Sequence, residues 1–452
     1  MHIDPPRRQF IKTAAAAVAT ARFPILGAND RINLGIVGLG GRGNDHMKFY
    51  STLGTDCRLA AVCDVNQAAR ERAVGLVRKL NNYDPKEFPD MRAMFDSKDV
   101  DAVSIATPNH WHALAAIWAC QAGKDVYVEK PASHNMFESQ QMVKAARKYN
   151  RMVQVGSQSR SVPHKMRAIQ LLREGVIGPV YHARGECFRR RFSIGHTPDE
   201  AVPAGVDWDR FLGPAQKKPY SKNKFAYNWH WFWDTGNSDI GNQGIHEMDI
   251  AVWGLGKSGW PTTVSSTGGK FVWKDDQETP NTQQAAFDFG DAQLTFDTRN
   301  LPTPPEGLGG LKGPNYVGNI FFGSSGFLVV DHSGFEVYKS TAGDISGEAA
   351  RGAGAGSKEK YEKVQEEKST NDETTPHMKN FFDAIRARDY KLLHAEIEIG
   401  ARSAAFVHMA NIAYRLKRKV QLDANGRFVS DKEANAMFGR NYRAPYVVSE
   451  NV

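Results

Sequence analysis

Residues Arg31–Gly43 read RINLGIVGLGGRG and place a short apolar run directly before the pattern Gly38-x-Gly40-x-x-Gly43. Glycines at this spacing let a pyrophosphate approach a backbone turn closely and lie against the exposed N–H groups of a helix N-terminus. The pattern alone is weak evidence, but here it follows the strand-like run Ile32–Val37 and precedes a plausible helix. The stretch therefore predicts the dinucleotide-binding strand, turn and helix of a Rossmann fold.

A second apolar run, LAAVCD, ends in Asp64. In a Rossmann fold, an acid at the end of the second strand hydrogen-bonds the ribose hydroxyls of the adenosine. Because a 2′-phosphate would meet a like charge there, Asp64 favours NAD over NADP as the cofactor.

The segment before the first strand has the features of a targeting signal. Arg7 and Arg8 precede the alanine-rich run TAAAAVATA, which ends in a site suited to a signal peptidase. We expect residues 1–30 to be a twin-arginine signal peptide and linker, with a disordered basic tail as the alternative. On the first interpretation, the protein folds and loads its cofactor in the cytoplasm and is then exported to the periplasm.

Composition is that of an ordinary globular protein, with 41% hydrophobic and 24% charged residues in 452. The length suffices for two domains with separate cores. Four cysteines, of which Cys63 and Cys120 fall on apolar faces, do not indicate a disulfide framework. The net charge of +8 is spread along the chain without a nucleic-acid-binding motif, so we predict no nucleic-acid partner. No stretch after the signal is long and apolar enough to span a bilayer, so we expect no membrane partner after signal removal.

The order of predicted elements indicates two domains. Over 31–157, strands and helices alternate, which predicts an α/β, doubly wound NAD-binding domain. Over 158–452, strands follow one another with glycine-rich turns, which predicts an α+β domain with a large, mainly antiparallel open sheet. In the first domain we predict strands at Ile32–Val37, Leu59–Asp64, Asp101–Ala106, Asp125–Val128 and Met152–Val155, and helices at Trp111–Ala122 and Phe137–Tyr149. In the second we predict strands at Val180–Cys187, Thr263–Val272, Gln283–Asp288, Gln293–Thr298, Asn319–Phe322, Gly326–Val330 and Phe335–Tyr338, and loops at Pro302–Gly318 and Thr341–Thr375. An open sheet needs cover on its outer face, so we expect a homodimer or homotetramer.

Three stretches in succession resemble the glucose–fructose oxidoreductase, inositol dehydrogenase and MocA-like family. These are the glycine motif with its acid, ATPNHWHALAAIWACQAGKDVYVEKP at 106–131, and GNQGIHEMD at 241–249. The most specific element is AGKDVYVEKP. The likeness covers essentially the whole chain after the signal, through a long C-terminal helix predicted at His377–Lys417.

The resemblance implies the positions of the catalytic groups. The lysine of the EKP element, Lys130, is expected beside the nicotinamide and the substrate hydroxyl, with a cis peptide bond before Pro131. The family's histidine maps onto His246, as the base that takes the hydroxyl proton. Cofactor contacts are assigned to Gly38, Leu39, Gly40, Arg42, Gly43, Asp64, Thr107, Pro108, Asn109, His112, Glu129 and Lys130.

One position departs from the family pattern. Many family dehydrogenases carry Asp four residues before the histidine, whereas this chain has Asn242. An Asn can orient an imidazole through a hydrogen bond, but it supplies no charge to stabilise the protonated ring. We assign Asn242 to the catalytic group and expect Asp239 or Asp249 to supply part of the missing field.

The aromatic run FAYNWHWFWD, at 225–234, is the other conspicuous feature. Its rings either form a platform for a sugar or cover one edge of the sheet. Arg189 and its two arginine neighbours either contact an acidic sugar or lie at a solvated strand end. Histidines at 110 and 112 and the Trp between them either touch substrate or pack at a helix start. The substrate contacts that we assign are Gln158, Arg189, Trp229, His230, Trp231, Asp234, Asp239 and His246. Metal ligation by His230, His246 or Glu186 stays open, since no spacing is diagnostic, and we assign no metal.

Three functions are compatible with these patterns. The first is an NAD(P)-dependent oxidoreductase that moves a hydride between the nicotinamide and a secondary hydroxyl of a sugar, glycoside or cyclitol. The second, which the resemblance permits, is a glycoside hydrolase that oxidises a sugar transiently, eliminates the aglycone, adds water and reduces the ring again. The third is a cofactor-binding protein without turnover, which the presence of both Lys130 and His246 disfavours.

Overall fold

The computed structural model of the protein describes residues 31–304, 306, 315–341, 360–370 and 374–452. The predicted signal at 1–30 therefore lies outside the described residues, as do parts of both predicted loops. No helix in the described ranges is long and apolar enough to cross a membrane.

The first domain is built on a six-stranded parallel sheet in the order β3-β2-β1-β4-β5-β6. Strands β1, β4, β5 and β6 are almost entirely buried, because helices cover both faces of the sheet. This confirms the predicted Rossmann fold; the short polar strand β3 is an addition to the prediction. The strands are β1 (Ile32–Val37), β2 (Cys57–Cys63), β3 (Lys86–Phe88), β4 (Ala102–Ile105), β5 (Asp125–Val128) and β6 (Val153–Val155). The helices are α1 (Gly41–Thr52), α2 (Gln67–Asn81), α3 (Met91–Phe95), α4 (Asn109–Gln121) and α5 (Met136–Lys148).

The second domain is built on a nine-stranded sheet in the order β14-β13-β12-β11-β7-β10-β9-β8-β15. Among the strand pairs that the structure describes in this sheet, β7–β10 alone is parallel, so the sheet is mixed but mainly antiparallel, which confirms the predicted class. Its strands are β7 (Val180–Arg189), β8 (Thr263–Gly269), β9 (Thr282–Asp288), β10 (Gln293–Arg299), β11 (Asn315–Gly323), β12 (Gly326–Asp331), β13 (Gly334–Ser340), β14 (Tyr361–Lys368) and β15 (Val420–Gln421). The helices of this domain are α6 (Pro163–Arg173), α7 (Trp208–Leu212), α8 (Ser238–Asn242), α9 (Gly244–Leu255), α10 (Thr375–Ala387), α11 (Ile397–Leu416) and α12 (Lys432–Ala436).

Three predicted boundaries in this domain are wrong. Strand β14 lies inside the predicted loop Thr341–Thr375; its sequence YEKVQEEK is mostly exposed at the sheet edge and carries no buried stripe that would reveal a strand. Strand β11 likewise begins within the predicted loop Pro302–Gly318, at Asn315. Strand β8 ends at Gly269, three residues earlier than predicted.

The predicted helix His377–Lys417 is two helices, α10 and α11. Helix α10 ends where Arg388 adopts a left-handed backbone (φ 51°). Helix α11 begins after Glu396, whose carboxylate accepts from the N–H of Glu398. Neither the end of α10 nor the start of α11 is marked by Gly or Pro, so the hydrophobic periodicity alone does not show that there are two helices.

The helical layer of the second domain places α9 at the centre of the molecule. Helix α9 packs against β7 and β11, and α11 packs against α9, β8 and the Rossmann helix α5. Apolar side chains on the inner face of the sheet form the main core with these helices, including Phe287, Phe296 and Phe321. This packing fixes the start of α9 opposite the carboxyl edge of the parallel sheet.

Candidate active site

A cavity of about 980 Å³ runs along the carboxyl ends of the parallel strands and continues beneath α9 to the second sheet. Residues that follow four strands line it: Gly38 after β1, Asp64 after β2, Thr107 after β4 and Glu129 after β5. Open parallel sheets bind ligands at this edge, so the fold itself predicts a site here.

The three glycines of the motif have different roles. Gly38 has a positive φ of 86°, and a side chain there would meet the Ala106 carbonyl oxygen at 2.6 Å. At Gly43 an added Cβ would lie 1.9 Å from the Gly38 carbonyl oxygen, so this glycine permits close packing of α1 on the turn. At Gly40 and Gly41 an added Cβ would meet nothing within 4 Å, and both line the cavity. The space beside them, at the N-terminus of α1, is where a pyrophosphate would be held.

Asp64 lines the cavity and also braces the glycine turn. Its carboxylate accepts from the N–H of Leu39 (2.7 Å) and from the N–H of Asn66 (2.8 Å). Burial raises the pKa of Asp64. Leu39 is itself fully buried and its N–H is held by Asp64, so the structure places Leu39 behind the cavity wall.

The segment after β4 supplies polar groups to the same wall. Thr107, Pro108 and Asn109 all line the cavity, and the buried Thr107 hydroxyl has no hydrogen-bond partner in the described part of the chain. Such an orphaned hydroxyl fits a ligand with polar groups at this position. The His112 ring lies between the carbonyl oxygens of Pro131 (2.7 Å) and Thr107 (2.8 Å), so it ties the two strand ends together.

Glu129 is a buried anchor. Its carboxylate pairs with Arg42 (2.7 Å) and accepts from His46 (2.9 Å), and the charge of Arg42 helps to hold the pKa of Glu129 well below its usual range although burial opposes this. The backbone N–H of Lys130 also lies 3.2 Å from this carboxylate. Gln158 lines the cavity beside Glu129. Its amide nitrogen donates to Gly156 O (2.8 Å), and its amide oxygen accepts from the Tyr127 hydroxyl.

The peptide bond Lys130–Pro131 is cis, as predicted. The Lys130 ammonium reaches across the cavity and donates to the backbone carbonyl oxygen of Asn242 (2.8 Å). Burial lowers its pKa, which the neighbouring Glu129 partly offsets.

His246 lines the same cavity from α9. Among the residues that the structure describes, none hydrogen-bonds its ring. Burial and the charge of Lys130 hold the pKa of His246 well below its usual value, so the imidazole is neutral at neutral pH. A neutral, unpartnered imidazole near an ammonium group suits a proton acceptor.

Among the described residues, the Asn242 side chain hydrogen-bonds groups other than the His246 ring. Its amide donates to the Tyr227 hydroxyl (2.9 Å) and to Asp239 (3.2 Å). Asp239 is fully buried against Arg191 (2.8 Å), and Asp249 is fully buried against Arg160 (2.8 Å). Each of these carboxylates is paired with an arginine, which weakens its field at His246, and the expected contribution to that field stays a prediction.

The structure divides the aromatic run. Trp229 and His230 stack at 3.5 Å and line the cavity, and burial lowers the pKa of His230 to about 3. Trp231 is buried away from the cavity, and Asp234 pairs with Arg440 and does not line it. Part of the run thus lines the cavity and part is buried within the protein, and the sugar platform stays a prediction for Trp229 and His230.

Arg189 lines the cavity, where its guanidinium bonds the Gln243 side chain. The lining residues that the sequence analysis does not assign include Tyr227, Lys165, Glu247 and Asn319. Tyr227 lies in the aromatic run and Glu247 follows His246. The sequence signal for these two is their position next to assigned residues. No group of three or more His, Cys, Asp or Glu in the described ranges is arranged to hold a metal ion.

Two sequence models of one family match the chain. Residues 32–157 match its "Oxidoreductase family, NAD-binding Rossmann fold" model, and residues 188–274 and 355–448 match its "Oxidoreductase family, C-terminal alpha/beta domain" model. The chain belongs to this oxidoreductase family. The resemblance seen in the sequence is therefore confirmed, and the first domain of this oxidoreductase is an NAD-binding Rossmann domain.

Curated relatives of the oxidoreductase match part of its length. A "Glycosyl hydrolase family 109 protein" of Shewanella sp. (strain W3-18-1) is 29% identical over 157 residues, which are 34% of this chain and 34% of that protein. A protein of the same name from Shewanella baltica (strain OS155) is 28% identical over 204 residues, 39% of this chain and 44% of that protein. The chain thus spans less than half the length of these curated relatives.

Solved structures share the fold over most of the chain. Levoglucosan dehydrogenase in complex with NADH and levoglucosan is 19% identical, with a TM-score of 0.63 and coverage of 87% of this chain and 99% of that one. The WlbA dehydrogenase of Bordetella pertussis in complex with NADH and UDP-GlcNAcA is 18% identical, with a TM-score of 0.61 and the same coverage.

Proposed function

We propose that this oxidoreductase transfers a hydride between NAD and a secondary hydroxyl of a sugar, glycoside or cyclitol. The observation that carries the proposal is that Lys130 and a neutral His246, whose ring has no hydrogen bond among the described residues, line the same cavity, which begins at the glycine turn. Oxidation of a secondary alcohol needs a base for the hydroxyl proton and a donor that orients the oxygen. The two side chains meet these needs.

The roles follow from the groups present. His246 accepts the hydroxyl proton, since its ring is neutral and free to do so. Lys130 donates a hydrogen bond to the hydroxyl oxygen while Asn242 O holds a second ammonium proton and fixes the side chain. NAD, when bound, supplies the hydride acceptor. Glu129 contributes by anchoring Arg42 and the backbone at Lys130.

A carbohydrate substrate is supported by two observations. The stacked pair Trp229 and His230 offers an aromatic face and, because His230 Nδ1 donates to Tyr227 O (2.6 Å), an Nε2 acceptor for a hydroxyl. Two proteins of the same fold have been solved with carbohydrate ligands, levoglucosan and UDP-GlcNAcA.

The second candidate is NAD-dependent glycoside cleavage by transient oxidation, elimination, water addition and re-reduction. It is favoured by the family 109 glycosyl hydrolase name of the curated relatives. It uses the same Lys130 and His246, because both routes begin with oxidation of a sugar hydroxyl.

One assay separates the functions. The NAD-loaded protein is incubated with neutral sugars, inositol, levoglucosan and nitrophenyl glycosides, while NADH and nitrophenol are followed. Net NADH formation supports the oxidoreductase, and nitrophenol release without net NADH supports the glycosidase. If neither product forms with any of these compounds, both proposals fail and a cofactor-binding protein without turnover becomes the account.

We further propose export through the twin-arginine route, on the strength of Arg7, Arg8 and the alanine-rich run. Periplasmic recovery of the protein, lost in an Arg7→Lys, Arg8→Lys double variant, is the expected result.

We also propose a homodimer or homotetramer formed through the open sheet. Light scattering at micromolar concentration should give two or four times the protomer mass that mass spectrometry finds for the same sample, and a monomer would refute the proposal.

A further inference from the structure

We propose that the far end of the cavity is a second carbohydrate subsite, built by Glu247 and Asn319, which binds a neutral polyhydroxylated unit next to the one that is oxidised. The proposal rests on the proposed function, because it assumes that the catalytic position beside Lys130 and His246 holds a sugar. It makes the preferred substrate a disaccharide or a glycoside with a polyhydroxylated aglycone.

The subsite lies where α9 crosses the second sheet. Glu247 follows His246 on α9, and Asn319 lies on β11 directly beneath the helix. The Asn319 amide nitrogen donates to the backbone carbonyl oxygen of Glu247 (2.8 Å), which fixes the two residues side by side. Both line the cavity, together with Lys165, whose ammonium donates to Ser159 (3.1 Å).

Among the residues that the structure describes, no group hydrogen-bonds one buried oxygen on each of these two residues. These are Oε2 of Glu247 and Oδ1 of Asn319, in side chains that are 5% and 0% exposed. Buried polar groups in folded proteins are normally paired, because an unpaired one forfeits the hydrogen bonds that water would give it. Two such oxygens at one end of a ligand cavity indicate that a ligand supplies the missing donors.

The chemistry of the pair selects hydroxyl groups. An amide oxygen only accepts, so Asn319 Oδ1 requires a donor. Burial raises the pKa of Glu247 to about 8, so near neutral pH its carboxyl group carries a proton and both donates and accepts. A sugar hydroxyl also donates and accepts. An ionised carboxylate or phosphate group has no hydrogen to donate to Asn319 Oδ1.

The rest of the inner sheet face supports a specific role for Asn319. Its neighbours on the same face of β11, Val317 and Phe321, pack into the apolar core. A Leu of similar size would fill the same space; the Asn319 amide nitrogen holds Glu247 O, but this bond does not account for the amide oxygen, which has no partner among the described residues.

The test compares the binding of mono- and disaccharides by calorimetry on the NADH-loaded protein. The probes are glucose, galactose and N-acetylglucosamine, each against its own 1,4-linked dimers. In the wild type, at least one dimer is expected to bind about tenfold tighter than its monomer, about the effect of one added hydrogen-bonded group. In the cavity variants Asn319→Leu and Glu247→Leu this ratio should fall towards one, whereas Glu247→Gln, whose amide also donates and accepts, should keep most of it.

A matched control is Gln283→Leu. Gln283 is also buried in the second sheet with an unpartnered amide oxygen, but it does not line the cavity, so the ratio should stay at the wild-type value. The proposal is overturned if no dimer binds more tightly than its monomer, or if the gain survives both cavity variants. Failure of the proposed function has a different signature: sugars then give no reduction of NAD, whatever their length.

Discussion

The glycine turn and the start of α9 form opposite walls of one cavity, and they are specified in different ways. At the turn, the backbone does the binding, and the needed residues lie within six positions, from Gly38 to Gly43. At α9, the site is made by contacts between distant residues, such as Lys130 with Asn242, which are 112 positions apart. A sequence motif therefore predicts a site that the main chain of one short segment builds. It does not predict contacts between residues that are distant in the sequence and meet across domains.

The largest expected effect comes from adding one methyl group to the turn. Gly43→Ala would place a Cβ 1.9 Å from the Gly38 carbonyl oxygen, so α1 must move. We expect a loss of about 3 kcal/mol in the free energy of unfolding, measured by urea denaturation. Gly40→Ala is the control, because its Cβ meets no protein atom: stability should stay near the wild type while NAD binding weakens. Equal stability losses in the two variants would contradict the division of roles.

The fold could be predicted because its signals are local. Alternation of buried strands with amphipathic helices identified the parallel sheet, and glycine-rich turns between strands identified the second one. The elements that the sequence does not predict correctly have a common cause. Strand β14 has polar residues on both faces at a sheet edge, and the break between α10 and α11 uses Arg388 rather than Gly or Pro. In each case tertiary position, rather than local pattern, determines the element.

The candidate site could be predicted only in part. The strand ends that carry Asp64, Thr107 and Lys130 were found, because each lies at the carboxyl end of a recognisable strand. The contact between Asn242 and Tyr227 is not predictable in this way, because Tyr227 reaches Asn242 only through the packing of the aromatic segment on α8, whereas Asp239 is a neighbour of Asn242 within that helix. Glu247 and Asn319 meet only where α9 crosses β11, and a sequence does not show that crossing.

Asp64 gives the next largest effect and tests the turn wall. Asp64→Ala removes the ribose acceptor and also the brace on Leu39 and Asn66. NAD affinity should fall by roughly 1.5–3 kcal/mol in a calorimetric titration, the usual value of a hydrogen bond to a charged group. Asp64→Asn keeps one acceptor oxygen and should lose less. Unchanged NAD affinity in Asp64→Ala would remove this residue from the cofactor site.

Asn242→Asp tests the opposite wall and should have a smaller effect. The sequence alone suggested that restoring the family's carboxylate would restore a charge partner for His246. In the structure, a carboxylate there would lie about 3.2 Å from Asp239, in place of the amide that now donates to it. We therefore expect lower stability, by about 1–2 kcal/mol, and no gain in turnover. A clear gain in dehydrogenase turnover would show that His246 lacks only a charge.

Lys130 connects the two walls, because it follows β5 and donates to Asn242 O on the opposite side of the cavity. We assign it a role in the chemistry rather than in cofactor binding. The decisive measurement is single-turnover reduction of bound NAD in Lys130→Ala, using the best sugar substrate, with NAD affinity measured on the same protein. The account predicts a rate lower by about 10²-fold or more with nearly unchanged NAD affinity. Lys124→Met is the matched control: this buried lysine donates to the Ser97 and Val100 carbonyl oxygens, outside the cavity, so its loss should cost stability and spare the rate. A wild-type rate in Lys130→Ala would contradict the account and move the active site elsewhere in the cavity.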